Sequence, residues 1–206
     1  MSRLRVAVIV EGDGEVAAVP ILLRRLWAAL GGEYIEVLNP PIRRKRSEFE
    51  RQHQLEKAIG LAANKLKHAR PSNDPALVLI LFDRDPSHQP PCALGPQSLN
   101  WAKGAYSHLD IACVVANVEY ETWFAAAAES LSKYIALKAG EAVPAAPENQ
   151  RCGKKWVASR YRGTKYSETQ DQPAMTDAMD LLTARQRSPS FDKLCRELER
   201  RTQAQP

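Results

Sequence analysis

The chain has 206 residues, with 29 Lys and Arg against 24 Asp and Glu, and so a formal net charge of +5. A content of 44% hydrophobic and 26% charged residues is that of an ordinary globular protein, which excludes wholesale disorder and collagen-like repeats. No apolar run approaches the roughly 18–20 residues that span a bilayer. Cys92, Cys113, Cys152 and Cys195 form no Cys-x-x-Cys pair, which disfavours a zinc finger and favours a reducing, cytoplasmic compartment.

Strand-like and helix-like patterns alternate through the first two thirds of the chain. Short, nearly continuous apolar runs bounded by turn residues are typical of strands buried on both faces. Their alternation with helices predicts a mostly parallel four-stranded sheet with helices on both faces. Ser47, with Glu50 three residues later, is predicted to cap the second helix. The predicted strands are 4–10, 34–38, 76–82 and 111–116, and the predicted helices are 16–30, 47–68, a weak helix 101–106, and 121–137.

The pattern fades beyond Pro144. Residues 144–165 are polar, basic and aromatic, and little regular structure is predicted there. Two short helices follow at 175–184 and 191–201, the second with Ser190 as its predicted cap. The chain therefore divides into an α/β core, residues 1–140, and a second part, residues 141–206, whose helices are expected to pack on that core.

Acidic residues follow three of the four predicted strands. In open α/β sheets, ligands bind beyond the carboxyl ends of the strands. Carboxylates gathered there repel one another, so at pH 7 they either protonate in part or bind cations. Oxygen donors without His or Cys suit Mg²⁺ or Mn²⁺ and not zinc. These residues are Glu11, Asp13 and Glu15 after the first strand, Asp83 and Asp85 after the third, and Glu119 and Glu121 after the fourth.

Several of these carboxylates also have a purely structural explanation. Glu15 can be a helix cap favoured by the helix dipole, and Asp13 a turn residue between two glycines. Glu119 and Glu121 share a face only if the chain is still extended there. The pair at residues 83 and 85 is harder to explain in this way, because it directly ends a strongly apolar strand.

Two motifs resemble a known signature. VIVEGDGE (8–15) and LFDRD (81–85) resemble the Toprim pattern, in which one strand ends in Glu-Gly and a later strand in Asp-x-Asp. The second Glu of the first motif and a later Glu bring the chain closer to the Toprim nucleases of the OLD (overcoming lysogenization defect) group. With ETW (121–123), a Tyr/Lys segment and SPSF (188–191), the whole chain resembles a small stand-alone family of Toprim-like bacterial proteins. The resemblance implies a Toprim-like, Rossmann-like fold with a C-terminal helical appendage.

The same resemblance implies a metal site. Glu11, Asp83 and Asp85 would bind one or two Mg²⁺ or Mn²⁺ ions, with Glu15 in support. Glu121, or else Glu119, would be a further ligand or a base that orients water. The OLD-type nucleases also use a lysine beyond the core, for which Lys165 is the best-placed match and Lys154 and Lys155 are rivals.

The implied activity is metal-dependent hydrolysis of phosphodiester bonds in DNA or RNA, in phage defence. The implied partner is an ABC- or SMC-like ATPase encoded nearby, and the chain has no P-loop motif of its own. No membrane partner is expected.

A basic and aromatic segment, RCGKKWVASRYRGTKYSE (151–168), contains six Lys and Arg against one Glu. Cations that neutralise phosphates, interleaved with aromatic rings that stack on bases, are what a nucleic-acid surface requires. A solvated loop whose aromatic rings pack back onto the core explains the same composition. The predicted nucleic-acid contacts are Lys154, Lys155, Trp156, Arg160, Arg162 and Lys165.

Two other functions stay open. One is a non-catalytic protein that binds metal or nucleic acid and assists an ATPase. The other is a haloacid-dehalogenase-like phosphatase with Asp83 as nucleophile and Asp85 as acid. The second agrees less well with the sequence, because Ser87 stands where that motif has Thr or Val, and because the motif normally opens the chain.

Overall fold

The structure is a computed structural model that describes residues 3–69, 74–84 and 89–203. The described residues form a sheet of five strands, and every pairing between these strands is parallel. The predicted α/β fold with a mostly parallel sheet is therefore confirmed. The strands are β1 Arg3–Val10, β2 Tyr34–Val37, β3 Ile42–Arg43, β4 Ala76–Asp83 and β5 Asp110–Ala116. Their order in the sheet is β2-β1-β4-β5, with the short β3 beside the end of β1. The strand β3 was not predicted, because a two-residue strand has no periodicity to detect.

Helices cover both faces of the sheet, and four of the nine helices in the described residues begin within three residues of a predicted start. The weak helix predicted at 101–106 is longer than expected, because it already starts at Pro91, a residue favoured in the first helical turn. The helices are α1 Asp13–Ala29, α2 Arg46–Phe49, α3 Gln52–His68, α4 Pro91–Ala105, α5 Glu121–Ala126, α6 Lys154–Ala158, α7 Glu168–Ala178, α8 Leu181–Arg187 and α9 Pro189–Gln203.

The long helix predicted at 47–68 is wrong, since the chain breaks between α2 and α3 at Arg51, which is extended. The predicted cap is wrong as well, because Lys45 and not Ser47 precedes the first residue of α2. The break accompanies burial of Phe49, whose ring stacks on Phe82 with centroids 4.6 Å apart. Such an aromatic pair contributes about 0.5–1.5 kcal/mol beyond its area burial, enough to outweigh local helix propensity.

Three further predictions differ from the structure. The single helix predicted at 175–184 is wrong, because the chain is extended at Met179 and Asp180, between α7 and α8. The helix predicted at 121–137 ends at Ala126, and turns continue towards Ile135, which forms a bridge with Tyr161. Ser190 does not cap the last helix, because Ser188 does: its Oγ accepts a hydrogen bond from the backbone N–H of Phe191 at 3.2 Å. The segment predicted to lack regular structure contains the five-residue helix α6.

Alternate side chains of the strands enter two separate cores. Val6 and Val8 of β1 pack with α1 and the C-terminal helices, whereas Ala7 and Ile9 pack with α3 and α4. Burying one large apolar side chain contributes about 1.5–3 kcal/mol, so the C-terminal helices stabilise the sheet directly. Their fully buried residues in the first core are Met175, Met179, Ala184, Phe191, Leu194 and Leu198.

Within the described part of the chain, no helix combines the length and the apolar character that crossing a bilayer requires.

Candidate active site

The carboxyl ends of β1, β4 and β5 meet at one edge of the sheet, because these strands are parallel neighbours. Hydrogen bonds connect the residues that follow them. The backbone N–H of Asp83 donates to Oε2 of Glu11 at 3.3 Å, and the N–H of Tyr120 donates to Oδ1 of Asp83 at 3.0 Å. The side chains gathered here are named the carboxylate cluster: Glu11, Glu15, Asp83, Glu119 and Glu121.

Glu15 caps the first helix and also belongs to this cluster. Its Oε2 accepts hydrogen bonds from the backbone N–H groups of Glu11 at 3.0 Å and Gly12 at 3.1 Å, and the residue is 3% exposed. Burial raises the pKa of Glu15 to about 7, and the charges of Glu11 and Glu121 add to the increase. The capping function is therefore present, and it places a fifth carboxyl beside the four at the strand ends.

Asp83 and Glu121 have raised pKa values for the same two reasons. Loss of hydration raises the pKa of Asp83 well above its usual range, and the four other carboxylates of the cluster raise it further. Burial likewise raises the pKa of Glu121, which is 2% exposed, to about 7. The hydroxyl of Tyr166 acts in the opposite direction by donating to Oε1 of Glu121 at 3.0 Å. At neutral pH the cluster is therefore poised between protonated and charged forms.

Glu119 lies at the rim of the cluster and contacts α6. Its Oε2 accepts a hydrogen bond from the backbone N–H of Lys154 at 2.5 Å. Gly153 permits this approach, because a Cβ at that position would lie 2.1 Å from the same oxygen. Lys154 extends its Nζ to within 2.6 Å of Oε1 of Glu168, which raises the pKa of the lysine, as do the charges of Glu168, Glu121 and Glu119.

Asp13 and Lys165 lie outside this arrangement. Asp13 is exposed and pairs with Nε of Arg43 at 2.8 Å. Lys165 is exposed, whereas its neighbour Tyr166 is buried against the cluster. Asp85 lies outside the described residues, so its proposed place in the site stays a prediction.

The donor chemistry of the cluster suits a hard divalent cation. Every side chain in it offers oxygen. Burial and, to a lesser extent, mutual repulsion raise the pKa values of these carboxyls, and a bound cation would lower them. Among the residues described, no three His, Cys, Asp or Glu side chains already stand in a metal-ligand arrangement. The carboxylates would therefore have to exchange some of their backbone hydrogen bonds for a metal ion.

The basic segment, residues 151–168, divides between the two explanations offered for it. Tyr166 is buried, and Tyr161 donates to Oδ1 of Asp171 at 2.5 Å, so these rings serve the core. Arg160 lies over the ring of Trp156, with its Cζ 4.4 Å from the ring centroid, and donates from Nε to Oε1 of Glu141 at 2.9 Å. The predicted contacts that remain exposed are Lys154, Lys155, Arg162 and Lys165.

Sequence reasoning missed three contributors to the site. Tyr166 donates to Glu121, the backbone of Tyr120 donates to Asp83, and Arg46 places its Nε 4.0 Å from Oε2 of Glu11. Arg46 also covers the ring of Phe82, with its Cζ 5.0 Å from the ring centroid. Arg46 ends a run of four basic residues, 43–46, and no pattern in the sequence marked the hydroxyl of Tyr166.

Residues 10–199 match the family model described as Domain of unknown function (DUF4276), and the chain belongs to this family. No curated protein matches the chain. No solved structure matches it either.

Proposed function

We propose that this member of the DUF4276 family is a divalent-metal-dependent nuclease of the Toprim type, which hydrolyses phosphodiester bonds in DNA or RNA. The observation that carries the proposal is the carboxylate cluster at the carboxyl ends of three parallel strands, where Glu15 and Glu121 have pKa values near 7. Active sites are where such shifts concentrate, because burial and like charges are arranged there to tune proton affinity.

In this proposal Glu11 and Asp83 hold Mg²⁺ or Mn²⁺, with Asp85 as a further predicted ligand and Glu15 in support. When bound, the cation would activate water and stabilise the negative charge that develops on the phosphodiester. Glu15 keeps the end of β1 in place through its two backbone hydrogen bonds.

Glu121 is the proposed general base. A base works best when its pKa lies near the working pH, and the pKa of about 7 for this carboxyl meets that requirement. Tyr166 occupies Oε1 of Glu121, which leaves Oε2 to accept a proton from water. Glu119 would orient water from the rim of the cluster.

Lys154 is a better candidate than Lys165 for stabilising the negative charge that develops on the phosphodiester. Its ammonium group contacts Glu168, and the charges of Glu119 and Glu121 raise its pKa. Lys155, Arg162 and Lys165 are exposed along the basic segment, where they would neutralise phosphates of a bound strand. Trp156 and Arg160 form a stacked pair that would flank this surface.

The proposal also includes a cellular location and a partner. A cytoplasmic location is supported by the four cysteines, all of which are free thiols. An ABC- or SMC-like ATPase partner and a role in phage defence rest on the Toprim resemblance alone.

The test is hydrolysis of DNA and RNA, including tRNA, with Mg²⁺ or Mn²⁺. Asp83→Asn and Glu121→Gln keep the size of each side chain and are expected to lower the rate by at least about 100-fold, as loss of a general base or metal ligand does. Glu33→Gln removes one carboxylate before β2, at the opposite edge of the sheet, and should cleave like wild type. Cleavage that survives Asp83→Asn unchanged would sink the assignment.

A second candidate function is a non-catalytic protein that binds nucleic acid. The observation in its favour is that Glu15 and Glu119 already accept backbone hydrogen bonds. Purified protein that binds DNA or RNA but cleaves neither with any divalent cation would favour this candidate.

A further inference from the structure

A cavity of about 770 Å³ lies beside the edge strand β5, between α4 and the start of α9. Its volume falls within the range of about 300–1,000 Å³ that is typical of small-molecule sites. Arg84 and Asn117, which follow β4 and β5, form its end next to the carboxylate cluster. We name it the β5 cavity.

The charged groups of the β5 cavity favour an anion. Three cationic side chains line it, Arg84, Lys193 and Arg196, against one carboxylate, that of Glu148. Lys193 and Arg196 form ion pairs along α9, but their side chains remain 39% and 54% exposed. They therefore still present positive charge to an incoming ligand.

Glu148 is held in place by neighbouring hydrogen-bond donors. Its carboxylate accepts hydrogen bonds from Nδ2 of Asn117 at 3.1 Å, from Oγ of Ser188 at 2.5 Å and from the backbone N–H of Ser190 at 2.8 Å. These donors belong partly to the first turn of α9, whose dipole favours a negative charge at that position. The oxygens of Glu148 are therefore engaged by these donors, and the cationic side chains of the cavity outnumber its carboxylate by three to one.

Arg84 offers a donor that no other described residue uses. Its Nη1 donates to Oδ1 of Asn117 at 3.0 Å, while its Nε is buried and has no hydrogen-bond partner among the described residues. A buried N–H without a partner has lost its hydration without gaining a hydrogen bond, and an anionic oxygen would supply that bond.

One wall of the cavity is apolar. Pro96 and Leu99 of α4 face Val115 of β5, and Gly95 keeps the space between them open. A Cβ at Gly95 would lie 3.8 Å from Cγ2 of Val115, so a larger side chain there would extend into the cavity. Apolar surface beside a cationic group matches a ligand that joins a planar ring to a phosphate.

We propose that the β5 cavity binds one nucleotide unit, with its phosphate at Arg84 and its base against Pro96, Leu99 and Val115. Arg84 directly follows Asp83, so the phosphate end of the cavity adjoins the carboxylate cluster. If the ligand is a nucleotide within a strand, the proposal rests on the proposed nuclease function, and that nucleotide lies beside the bond to be cleaved. A free nucleoside monophosphate offers the same chemistry.

The experiment uses Cys92, which lines the cavity and is the one exposed thiol among the four cysteines, all of which lie in the described part of the chain. Its alkylation by N-ethylmaleimide is timed with each nucleoside 5′-monophosphate and with single-stranded DNA and RNA oligonucleotides. Inorganic phosphate and adenosine are the partial probes. Nucleotides are expected to slow alkylation by about fivefold or more at saturation, and neither partial probe should do so at the same concentration.

The two sources of the nucleotide give different results. Protection by monophosphates and oligonucleotides alike indicates a site for the free ligand as well, and protection by oligonucleotides alone indicates a site for a strand. Absence of protection by every nucleotide would overturn the proposal.

Two variants test the assignment within the cavity. Gly95→Leu fills it, and Gly104→Leu is its matched control, because a Cβ at Gly104 in the same helix meets nothing within 4 Å. Arg84→Gln removes the anion contact, and Lys103→Gln removes one charge from the exposed part of α4. Gly95→Leu and Arg84→Gln should weaken nucleotide protection by roughly tenfold or more, and neither control should change it.

Melting temperatures separate loss of binding from loss of folding. Unchanged protection in a correctly folded Arg84→Gln protein would overturn the proposal, even if Gly95→Leu fails to fold. Glu121→Gln, which should abolish cleavage, should retain protection of Cys92. Cleavage by wild type without protection would refute the nucleotide cavity alone, whereas protection without cleavage would refute the nuclease alone.

Discussion

The hydroxyl of Tyr166 donates a hydrogen bond to Oε1 of Glu121 at 3.0 Å, with both residues buried. The two residues are 45 positions apart in the chain, and the contact joins the basic segment to the helix that follows β5. Because this donor stabilises the charged carboxylate, it holds the pKa of Glu121 lower than burial alone would set it.

Tyr166→Phe is therefore expected to raise the pKa of Glu121 further. Carboxyl carbon NMR of the metal-free protein would measure the change directly, and the acidic limb of the rate profile should move to higher pH. The loss of a buried hydrogen bond should also lower the free energy of unfolding by about 1–3 kcal/mol. Tyr34→Phe, at a ring that is 50% exposed, is the control and should change neither quantity. A lower pKa of Glu121 in Tyr166→Phe would contradict the interpretation.

The stability of the metal-free protein should fall as pH rises from about 4.5 to about 7. Glu15 and Glu121 bind protons more tightly in the folded protein than the ordinary value of 4.5 allows, so the folded state is favoured while they are protonated. A rise to about 7 corresponds to at most about 3 kcal/mol for each buried carboxyl, since one pKa unit is about 1.4 kcal/mol. Urea denaturation at pH 5 and pH 7.5 would measure the difference.

Two additions sharpen that measurement. Glu121→Gln should reduce the pH dependence, whereas Glu33→Gln should leave it unchanged. Mg²⁺ or Mn²⁺ added at pH 7.5 should restore stability, because a bound cation offsets the repulsion. A metal-free protein that becomes more stable across this pH range would show that the carboxylates do not form the cluster described above.

Glu148→Gln should destabilise the protein by about 1–3 kcal/mol, because its carboxylate satisfies donors of Asn117, Ser188 and the first turn of α9. The amide keeps the shape of the side chain but replaces the charge and one acceptor. Thermal unfolding would detect the change. Glu129→Gln, at an exposed pair with Arg187, is the comparison and should cost less than about 1 kcal/mol.

Gly14→Ala should disturb the packing of α7 against α1. The new Cβ would lie 2.2 Å from Oε1 of Gln172 and 2.7 Å from the carbonyl oxygen of Glu168. We expect a loss of about 1–3 kcal/mol in the free energy of unfolding, since the backbone of α7 has to move. Gly104→Ala in α4, which meets no neighbour, should instead be neutral or stabilise the protein by up to about 1 kcal/mol.

Lys155→Gln and Lys165→Gln test the basic segment as a nucleic-acid surface. The logarithm of the binding constant falls linearly with the logarithm of the salt concentration. If each lysine neutralises one phosphate, each change should make this negative slope shallower by roughly 0.7–0.9. Fluorescence anisotropy at several salt concentrations would give these slopes. Lys57→Gln, on the exposed side of α3, should leave the slope unchanged. If Lys155→Gln and Lys165→Gln both keep the wild-type slope, as Lys57→Gln should, the basic segment is excluded from the interface.

Much of the fold could be predicted because the strands have a clear pattern in the sequence. The runs that became β1 and β4 are apolar on both faces, and their ends were placed within a residue or two. Once strand order and direction are fixed, Glu11 and Asp83 must meet at one edge. The convergence of these carboxylates therefore follows from local pattern and from the rules of parallel sheets.

Contacts made by loops could not be predicted in the same way. Tyr166 lies in a segment without periodicity, so nothing in the sequence fixes its distance from Glu121. The break between α2 and α3 depends on Phe49 finding Phe82, a contact between residues 33 positions apart in the numbering. In both cases tertiary packing decides the local conformation, and local propensity carries little of that information.

The two cores of the sheet also set an order of events during synthesis. One face can be closed by α3 and α4 soon after β5 leaves the ribosome, but the other needs α7 and α9, which are translated tens of residues later. At about 5–20 residues per second, that face stays incompletely covered for several seconds. The nascent chain would thus carry a sheet that is covered on one face and lacks Tyr166 beside Glu121. It would gain its proposed activity only when the last helices pack on the other face.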